Sequence, residues 1–324
     1  PDLVLLDVVM PKISGLDILV QVRKAPECKN VPIVILTAST SAETKASALH
    51  LGATDFLAKP VDPSELIPRV RNMLVVKAHH DHLEAYTEQL EKAVQVRTTE
   101  LAASRKHVIE CLARAAEYRD DSTGKHILRV GRYAGLIAQQ LGFSDEQVEL
   151  IEQSAQLHDV GKIAVPDNIL KKDSELDPAE TELMRKHCVY GLQIIQPMSE
   201  RDLDVVRKHP ELCDRVLIDS SPVVQIAGRI ALSHHERWDG TGYPLGLAGE
   251  DIPIEGRITA VADVYDALSS SRPYKPPIPR EKCFEFMMAE ADKHFDRQIL
   301  NAFMERSTDI IRIQMEFADV GSDS

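Results

Sequence analysis

Hydrophobic positions come in short, continuous runs over the first 73 residues of the chain. Apolar runs at 3–6 and 31–36, and a shorter one before Lys59, end at polar or turn residues and are separated by amphipathic stretches. Runs of this kind are typical of strands buried on both faces of a parallel sheet. Strands that alternate with helices indicate βαβ units. The pattern therefore predicts a parallel α/β sheet within residues 1–73.

A different pattern covers residues 74–107, which contain neither Gly nor Pro. Apolar residues recur there at three- and four-residue steps, at Leu83, Tyr86, Leu90 and Ala93. This period predicts a connector helix. Two arrangements stay open, namely a solvated helix that packs on its own domain and a parallel coiled coil between two protomers. We favour the coiled coil, and with it a homodimer formed through this helix.

Helical periodicity predominates over residues 108–318. One face of a predicted helix carries the apolar residues Ile127, Val130, Tyr133, Ile137 and Leu141. Ser144 followed by Gln147 predicts a capping box at the start of the next helix. We therefore expect an all-α domain over 108–318, followed by a polar, disordered tail at 319–324.

Composition and charge narrow the function classes. The chain has 324 residues, 44% of them hydrophobic and 27% charged, with a formal net charge of −13. Such a negative charge argues against DNA or RNA as a partner. The five cysteines lack a C-x-x-C pair, which is typical of a reducing compartment. No apolar run reaches the length of a membrane span and no signal peptide opens the chain, so we expect a cytoplasmic protein without membrane contact. The chain opens at Pro1 on a strand-like run, so we expect its natural start to lie upstream.

Three polar side chains follow the predicted strands at their carboxyl ends. They are the Asp7 carboxylate, the Thr37 hydroxyl and the Lys59 ammonium group. Functional groups of parallel sheets meet at this edge. The segments Leu-Leu-Asp7-Val-Val-Met-Pro, Leu-Thr37-Ala-Ser and Leu-Ala-Lys59-Pro resemble the receiver domain of response regulators, which has a flavodoxin-like fold.

The resemblance to a receiver implies that Asp7 accepts a phosphoryl group from a sensor histidine kinase. It also implies that Thr37 and Lys59 are switch residues that contact this group. Receivers bind Mg²⁺ through an acidic pair at the end of their first strand, and no such strand precedes Asp7 in this sequence. Residues 1–73 therefore correspond to the C-terminal part of a receiver, and we expect Mg²⁺ binding only if the missing N-terminal part is present.

Imidazoles and carboxylates suited to metal binding are concentrated in the helical region. The candidates are His126, His158, Asp159, His187, His234, His235 and Asp263. Helical bundles build metal sites from side chains that point inward from different helices. Mixed His and Asp ligation suits transition metals such as Fe, Mn, Ni or Zn rather than Ca²⁺. Any one of these histidines could be a core residue, but the set favours a metal site.

Four segments of this region resemble an HD-GYP domain, a subgroup of the HD metal-dependent phosphohydrolases. They are His158-Asp159-Val-Gly-Lys162, His234-His235-Glu236 through Gly242-Tyr243-Pro244, Ala-Asp263-Val-Tyr-Asp266-Ala-Leu and Ser-Arg272-Pro-Tyr274-Lys275. A receiver followed by such a domain resembles two-component response regulators of the RpfG type. The resemblance implies an all-α, metal-dependent phosphodiesterase that hydrolyses cyclic di-GMP to pGpG and then GMP. Diguanylate cyclases and adaptor proteins are candidate partners.

The same resemblance implies roles for individual residues. Two divalent ions would be ligated by His158, Asp159, His187, His234, His235 and Asp263, with Asp159 bridging the ions. Asp159 and Lys162 would be catalytic, and Lys162, Tyr243, Arg272 and Lys275 would contact the substrate. Members of the family with a third ion carry Glu where this chain has Ser122. We therefore expect a binuclear site with His126 as an auxiliary ligand.

Two other functions stay open. The first is an HD phosphohydrolase that acts on another nucleotide, although such enzymes need neither Tyr243 nor Arg272. The second is a catalytically weak cyclic di-GMP sensor or partner-recruiting module. The complete set of ligands for a binuclear site favours the enzyme, whereas Ser122 favours the sensor.

Overall fold

The computed structural model describes residues 1–38, 42–119, 124–196, 221–270 and 277–317 of the chain. These residues form two compact units, which divide between Leu101 and Ala102. The first unit contains a parallel sheet and the second is helical. The predicted fold class, an α/β receiver sheet followed by a helix and an all-α domain, is therefore confirmed. The predicted tail at 319–324 lies outside the described residues.

The first unit is built on a three-stranded parallel sheet with the strand order β1-β2-β3. Its strands are β1 (Val4–Asp7), β2 (Ile33–Thr37) and β3 (Asp55–Ala58), and its helices are α1 (Gly15–Lys24) and α2 (Ala42–His50). A 3₁₀ turn lies at Pro26–Cys28. Leu19 of α1 is buried in one cluster with Ile33 and Ile35, which lie on the same face of β2.

Local contacts fix where α1 begins. The Ser14 hydroxyl caps the helix by accepting a hydrogen bond from the Leu16 N–H group at 3.2 Å. Gly15 lies so close to β1 that a β-carbon there would stand 1.9 Å from the Asp7 carbonyl oxygen. Only glycine permits this approach, which places the start of α1 directly beside the predicted phosphoacceptor.

The helix α3 (Pro63–Glu117) spans 55 residues and includes the whole predicted connector. Most of it is exposed, including the apolar side chains of Leu83, Tyr86 and Leu90. Pairs one turn apart, such as Lys92 with Glu88, stabilise its solvated surface. Among the described residues, no helix is both long enough and apolar enough to cross a bilayer.

The second unit begins within the last turns of α3. Its further helices are α4 (Lys125–Gln140), α5 (Asp145–Ala155), α6 (Asp167–Leu170), α7 (Pro178–Arg185), α8 (His187–Ile195), α9 (Pro222–Ser233), α10 (Ile254–Ser269), α11 (Arg280–Ala289), α12 (Arg297–Glu305) and α13 (Ser307–Glu316). Short 3₁₀ segments lie at Val160–Ala164 and Gly249–Asp251. The predicted capping box at Ser144 and Gln147 is confirmed at the start of α5.

Aromatic packing holds α4, α10 and α12 together. Tyr133, Tyr265 and Phe303 are fully buried, and the Tyr265 ring lies edge-to-face against both others, with centroids 5.5 Å and 5.0 Å away. This arrangement is favourable for aromatic pairs. The core therefore fixes the two helices, α4 and α10, that carry His126 and Asp263.

Candidate metal centre

The predicted ligands come from helix ends and helix faces that meet in the second unit. His158 and Asp159 follow the end of α5, and His187 is the first residue of α8. His234 and His235 follow α9 directly. His126 lies in the first turn of α4, and Asp263 lies in the middle of α10. Segments far apart in the sequence thus bring their ligand atoms to one place.

The ligand atoms form two groups that share Asp159. In each group the atoms lie within 4.8 Å of one another. One group contains Asp159, His187, His234 and His235, and the other contains His126, His158 and Asp159. Asp263 borders the second group, because its Oδ1 lies 3.4 Å from His126 Nε2 and 3.8 Å from His158 Nε2.

Backbone carbonyls orient three of the imidazoles. His158 Nδ1 lies 2.8 Å from the Ala155 carbonyl oxygen, and His187 Nδ1 lies 2.7 Å from that of Met184. His234 Nδ1 has the same relation to the Ile230 carbonyl, at 2.9 Å. Since a carbonyl can only accept, each Nδ1 carries a proton, which leaves Nε2 as the nitrogen that can bind a metal. This is the tautomer that metal ligation through Nε2 requires.

Several polar atoms at the centre are buried without a hydrogen-bond partner among the described residues. They are His158 Nε2, His234 Nε2 and Asp159 Oδ1. Asp159 Oδ1 lies 3.3 Å from His187 Nε2 and 3.8 Å from His234 Nε2, so these atoms face one another without bonding. Unsatisfied buried polar groups are costly. Lone pairs that converge in this way fit a divalent metal ion, and the donor set of imidazoles and carboxylates suits a transition metal.

Burial and neighbouring charges shift the pKa values of the predicted ligands. Burial lowers the pKa of His158, but the Asp159 and Asp263 carboxylates raise it to about 9. Burial lowers the pKa of His187 to about 4, and that of His235 also lies well below its usual value, chiefly because of burial. Burial would raise the pKa of Asp159, yet nearby Lys162 and His158 hold it well below its usual range. Asp159 is therefore an anion at neutral pH, as a metal ligand must be.

The imidazole of His126 is held by a buried ionic network that the sequence did not predict. Asp266, which is 1% exposed, lies on α10 one turn after Asp263, and its Oδ2 stands 2.8 Å from His126 Nδ1. Arg129 donates to both oxygens of the same carboxylate, from Nε at 2.6 Å and from Nη2 at 2.8 Å. The network directs His126 Nε2 toward Asp263.

Lys162 lies at the edge of the centre. Its Nζ stands 2.8 Å from Asp159 Oδ2, and its side chain is 23% exposed. Gly161 packs the 3₁₀ segment Val160–Ala164 against α8, since a β-carbon there would lie 1.9 Å from the His187 carbonyl oxygen. This close contact fixes the position of Lys162 relative to His187.

Hydrogen bonds to a buried carboxylate hold the loop after His235 in place. The buried Glu236 carboxylate accepts hydrogen bonds from the backbone N–H groups of Leu245, Gly246 and Leu247, at 2.7, 3.1 and 3.1 Å. The ring of Tyr243 stacks on His235, with centroids 4.8 Å apart. The Arg185 guanidinium lies 4.8 Å from the centre of the same ring.

The predicted receiver residues also meet. Lys59 donates a hydrogen bond to Asp7, and Thr37 is buried at the end of the neighbouring strand. The hydrogen bond from Lys59 lowers the pKa of the Asp7 carboxylate. All three lie at the carboxyl edge of the sheet, as the strand pattern predicted.

Some predicted residues lie outside the described part of the chain. They are Ser122, Arg272 and Lys275. Their predicted roles stay predictions. Conversely, the sequence pattern did not single out Asp266, Glu236 or Arg185 as functional. A carboxylate one turn after a predicted ligand, as Asp266 is after Asp263, was the available signal for the first of them.

Comparison with known proteins identifies both units. The sequence matches the HD domain family over residues 99–299 and the response regulator receiver domain over residues 1–71. It is 35% identical to the cyclic di-GMP phosphodiesterase response regulator RpfG of Xanthomonas campestris pv. campestris, over 98% of this chain and 78% of that protein. It is also 35% identical to a cyclic di-GMP phosphodiesterase of Thermotoga maritima, over 95% of this chain and 80% of that protein.

A third relative matches a shorter part of the chain. It is the 3'3'-cGAMP-specific phosphodiesterase 2 of Vibrio cholerae, which is 37% identical over 68% of this chain and 38% of that protein. The HD family match covers more than half of the chain, and the two longer relatives are matched over more than two thirds of their own length. The chain therefore belongs to the HD domain family, and it carries a response regulator receiver domain ahead of its HD domain.

Proposed function

We propose that this protein is a metal-dependent phosphodiesterase that hydrolyses cyclic di-GMP to pGpG and then GMP, under the control of its receiver domain. The observation that carries the proposal is the convergence of five imidazoles and two carboxylates around Asp159. Two relatives that match nearly the whole chain are named cyclic di-GMP phosphodiesterases, which supports the choice of substrate.

Two divalent ions would fit the two ligand groups. His187, His234 and His235 would hold one ion, His158 and Asp263 would hold the other, and Asp159, common to both groups, would bridge them. His126 would be an auxiliary ligand of the second ion. When bound, such ions supply a nucleophile at neutral pH and neutralise the charge on the phosphoryl oxygens.

Lys162 is suited to act on the phosphodiester directly. Its ammonium group is partly exposed, so a substrate phosphate can reach it, and its contact with Asp159 Oδ2 at 2.8 Å holds it at the centre. From Nζ it would donate a hydrogen bond to a phosphoryl oxygen or a proton to the leaving oxygen. The positive charge also offsets the repulsion that a chain of net charge −13 exerts on an anionic substrate.

Tyr243 and its loop would form one wall of the substrate site. The Tyr243 ring already stacks on His235 and lies against Arg185. We infer that the ring orients His235 and presents its remaining edge to the substrate. Glu236 would keep this wall in place by holding three backbone N–H groups of the loop. Arg272 and Lys275 would add phosphate or guanine contacts.

The receiver would control this activity by phosphorylation of Asp7 by a sensor histidine kinase. Lys59 already contacts Asp7 and would contact the phosphoryl group, with Thr37 as the second switch residue. The exposed apolar side chains of α3 at Leu83, Tyr86 and Leu90 support a homodimer through this helix. Diguanylate cyclases or adaptor proteins would be further partners.

A second candidate substrate is 3'3'-cGAMP. The specific observation in its favour is the relative named for that substrate, which is 37% identical over 68% of this chain. The same centre would serve both substrates, because each is a cyclic dinucleotide with two phosphodiester bonds. Selectivity would then depend on contacts to the second base rather than on the metal ligands.

The test is hydrolysis of both cyclic dinucleotides by the anaerobically purified full chain, with the bound metal quantified. We expect cyclic di-GMP to be hydrolysed and Asp159→Asn to lose both metal and activity. Lys162→Met should keep its metal but lose about 10²- to 10³-fold in kcat, while the exposed control Lys171→Met stays at the wild-type rate. Tight binding without turnover under Fe, Mn and Ni would instead identify a sensor.

A further inference from the structure

A single side chain just beyond the end of α3 reaches the segment that carries Lys162. The Arg119 guanidinium donates hydrogen bonds to the carbonyl oxygens of Ile163 and Val165, the latter at 3.0 Å. It also contacts the Lys162 carbonyl oxygen at 3.5 Å and pairs with the Asp167 carboxylate. These acceptors span the C-terminal end of the 3₁₀ segment Val160–Ala164 and the first residue of α6.

The opposite side of the same segment is fixed by α8. Gly161 lies against the backbone of His187 and Gly191, with no room for a β-carbon. The segment is therefore held between a rigid surface on one side and the Arg119 guanidinium on the other. A planar group with several donors holds carbonyl oxygens in a defined geometry, which a flexible ammonium group cannot match.

Apolar packing links the last turns of α3 to the same region. Ile109 and Ala113 are buried in one cluster with Ile127 and Leu157. Ile127 directly follows His126, and Leu157 directly precedes His158. The end of α3 thus contacts residues adjacent to two predicted ligands, and Arg119 adds a polar contact beyond them.

We propose that Arg119 is a positioning residue that sets the place of Lys162 and so couples the end of α3 to the rate of phosphodiester hydrolysis. This inference rests on the proposed function, because it concerns the regulation of the same centre. A shift in the last turn of α3 moves the guanidinium, which alters the backbone of 162–165 and with it the reach of Lys162 Nζ. The imidazoles of His158, His187 and His234 are oriented by carbonyls outside residues 162–165, so the effect falls on kcat and leaves metal content unchanged.

The test compares Arg119→Ala, Arg119→Lys and the control Arg105→Ala, which removes the same charge from an exposed position on α3. We expect Arg119→Ala to lower kcat by about 10- to 100-fold, with KM within about threefold and metal content unchanged. Arg119→Lys should lie in between, and Arg105→Ala should match the wild type.

A double-mutant cycle with Lys162→Met separates positioning from general structural damage. If Arg119 acts through Lys162, Arg119→Ala causes no further loss of kcat in the Lys162→Met background. A multiplicative loss in the double variant would overturn the proposal, and so would a wild-type kcat in Arg119→Ala.

Amide hydrogen exchange gives a readout that needs no turnover. Arg119→Ala should speed exchange over residues 160–167, whereas exchange around the core residue Tyr133 should stay at the wild-type rate. Unchanged exchange over 160–167 would refute the inference even if the wild type hydrolyses cyclic di-GMP. An inactive wild type in which Arg119→Ala still speeds this exchange would refute the proposed function, and with it the coupling to hydrolysis, while supporting the placement of residues 160–167 by Arg119.

Discussion

Replacing Asp266 by Asn should destabilise the HD domain strongly although the side chain keeps its shape. The Asp266 carboxylate is 1% exposed and accepts hydrogen bonds from Arg129 Nε, Arg129 Nη2 and His126 Nδ1, at 2.6, 2.8 and 2.8 Å. Asn supplies one acceptor oxygen and no charge. The buried Arg129 guanidinium, which is 4% exposed, would lose its anionic partner and one acceptor oxygen, whereas its contacts to Ser270 and the Phe317 carbonyl would remain.

Two estimates bracket the cost. Removing one partner of a buried ion pair costs about 3–5 kcal/mol, and Asn, which keeps part of the hydrogen bonding, belongs at the lower end. Independently, burial raises the pKa of Asp266, but the hydrogen bonds from Arg129 and His126 outweigh it and lower the pKa from 3.8 to about 2. A shift of this size corresponds to about 2 kcal/mol of stability at neutral pH. We therefore expect a loss of about 2–3 kcal/mol.

Urea unfolding followed by the fluorescence of Trp238, the single tryptophan, measures this loss in the HD domain. Asp309→Asn is the matched control, because Asp309 also accepts from two arginines but is 28% exposed. The control should cost about 1 kcal/mol or less. Equal losses in the two variants, or a loss below about 1 kcal/mol for Asp266→Asn, would refute the reasoning.

The pH dependence of the unfolding free energy gives a second test of the Asp266 network. Because the folded pKa of Asp266 lies below its ordinary value, its contribution to stability is complete above pH ~4 and is lost as the pH falls toward ~2. The difference in unfolding free energy between the wild type and Asp266→Asn should therefore narrow by about 1 kcal/mol between pH ~6 and pH ~3. A difference that widens on acidification would contradict this account of the network.

Three further predictions concern the centre and its support. Glu236→Ala should raise KM for cyclic di-GMP and speed amide exchange over 245–247, because three partly buried N–H groups lose their shared acceptor, a loss of about 1–3 kcal/mol; unchanged exchange would count against this role of Glu236. Gly161→Ala should destabilise the domain by about 3 kcal/mol in urea unfolding and reduce bound metal, because the added β-carbon would meet the His187 carbonyl. In the control Gly135→Ala, the added β-carbon meets only the flexible Glu152 side chain, so the loss should be less than about 1 kcal/mol. Removal of the bound metal with a chelator should lower the thermal midpoint of the HD domain, because a ligand present at a thousand times its Kd stabilises the folded state by about 4 kcal/mol. An unchanged midpoint would mean that the centre is empty in the purified protein.

Local sequence patterns were sufficient for the receiver sheet and for the capping box of α5. Both depend on residues that are neighbours in the chain, such as Ser144 and Gln147. The start of α3 was less clear, because Pro63 and Pro68 resemble loop residues in the sequence. Pro63 stands at the first helical position, where its missing N–H group costs nothing, so the helix begins before the predicted connector.

The orientation of three predicted ligands has a local cause. His158, His187 and His234 each direct Nδ1 to a carbonyl three or four residues earlier, so their orientation is fixed within a single turn of chain. These orientations need no long-range contact, and the metal-binding role of the three residues stays a prediction.

The orientation of His126 and the placement of Lys162 depend on contacts of another kind. His126 is held by Asp266, which lies 140 residues later, and the Lys162 segment is held by Arg119, which reaches across 44 residues to Ile163. No periodicity relates residues at such separations, and either polar residue could equally have been solvated. Only the packing of α4 on α10, and of the end of α3 beside the segment after α5, creates these contacts. Substitutions of Asp266 and Arg119 therefore isolate what the tertiary fold adds to the predicted ligand set.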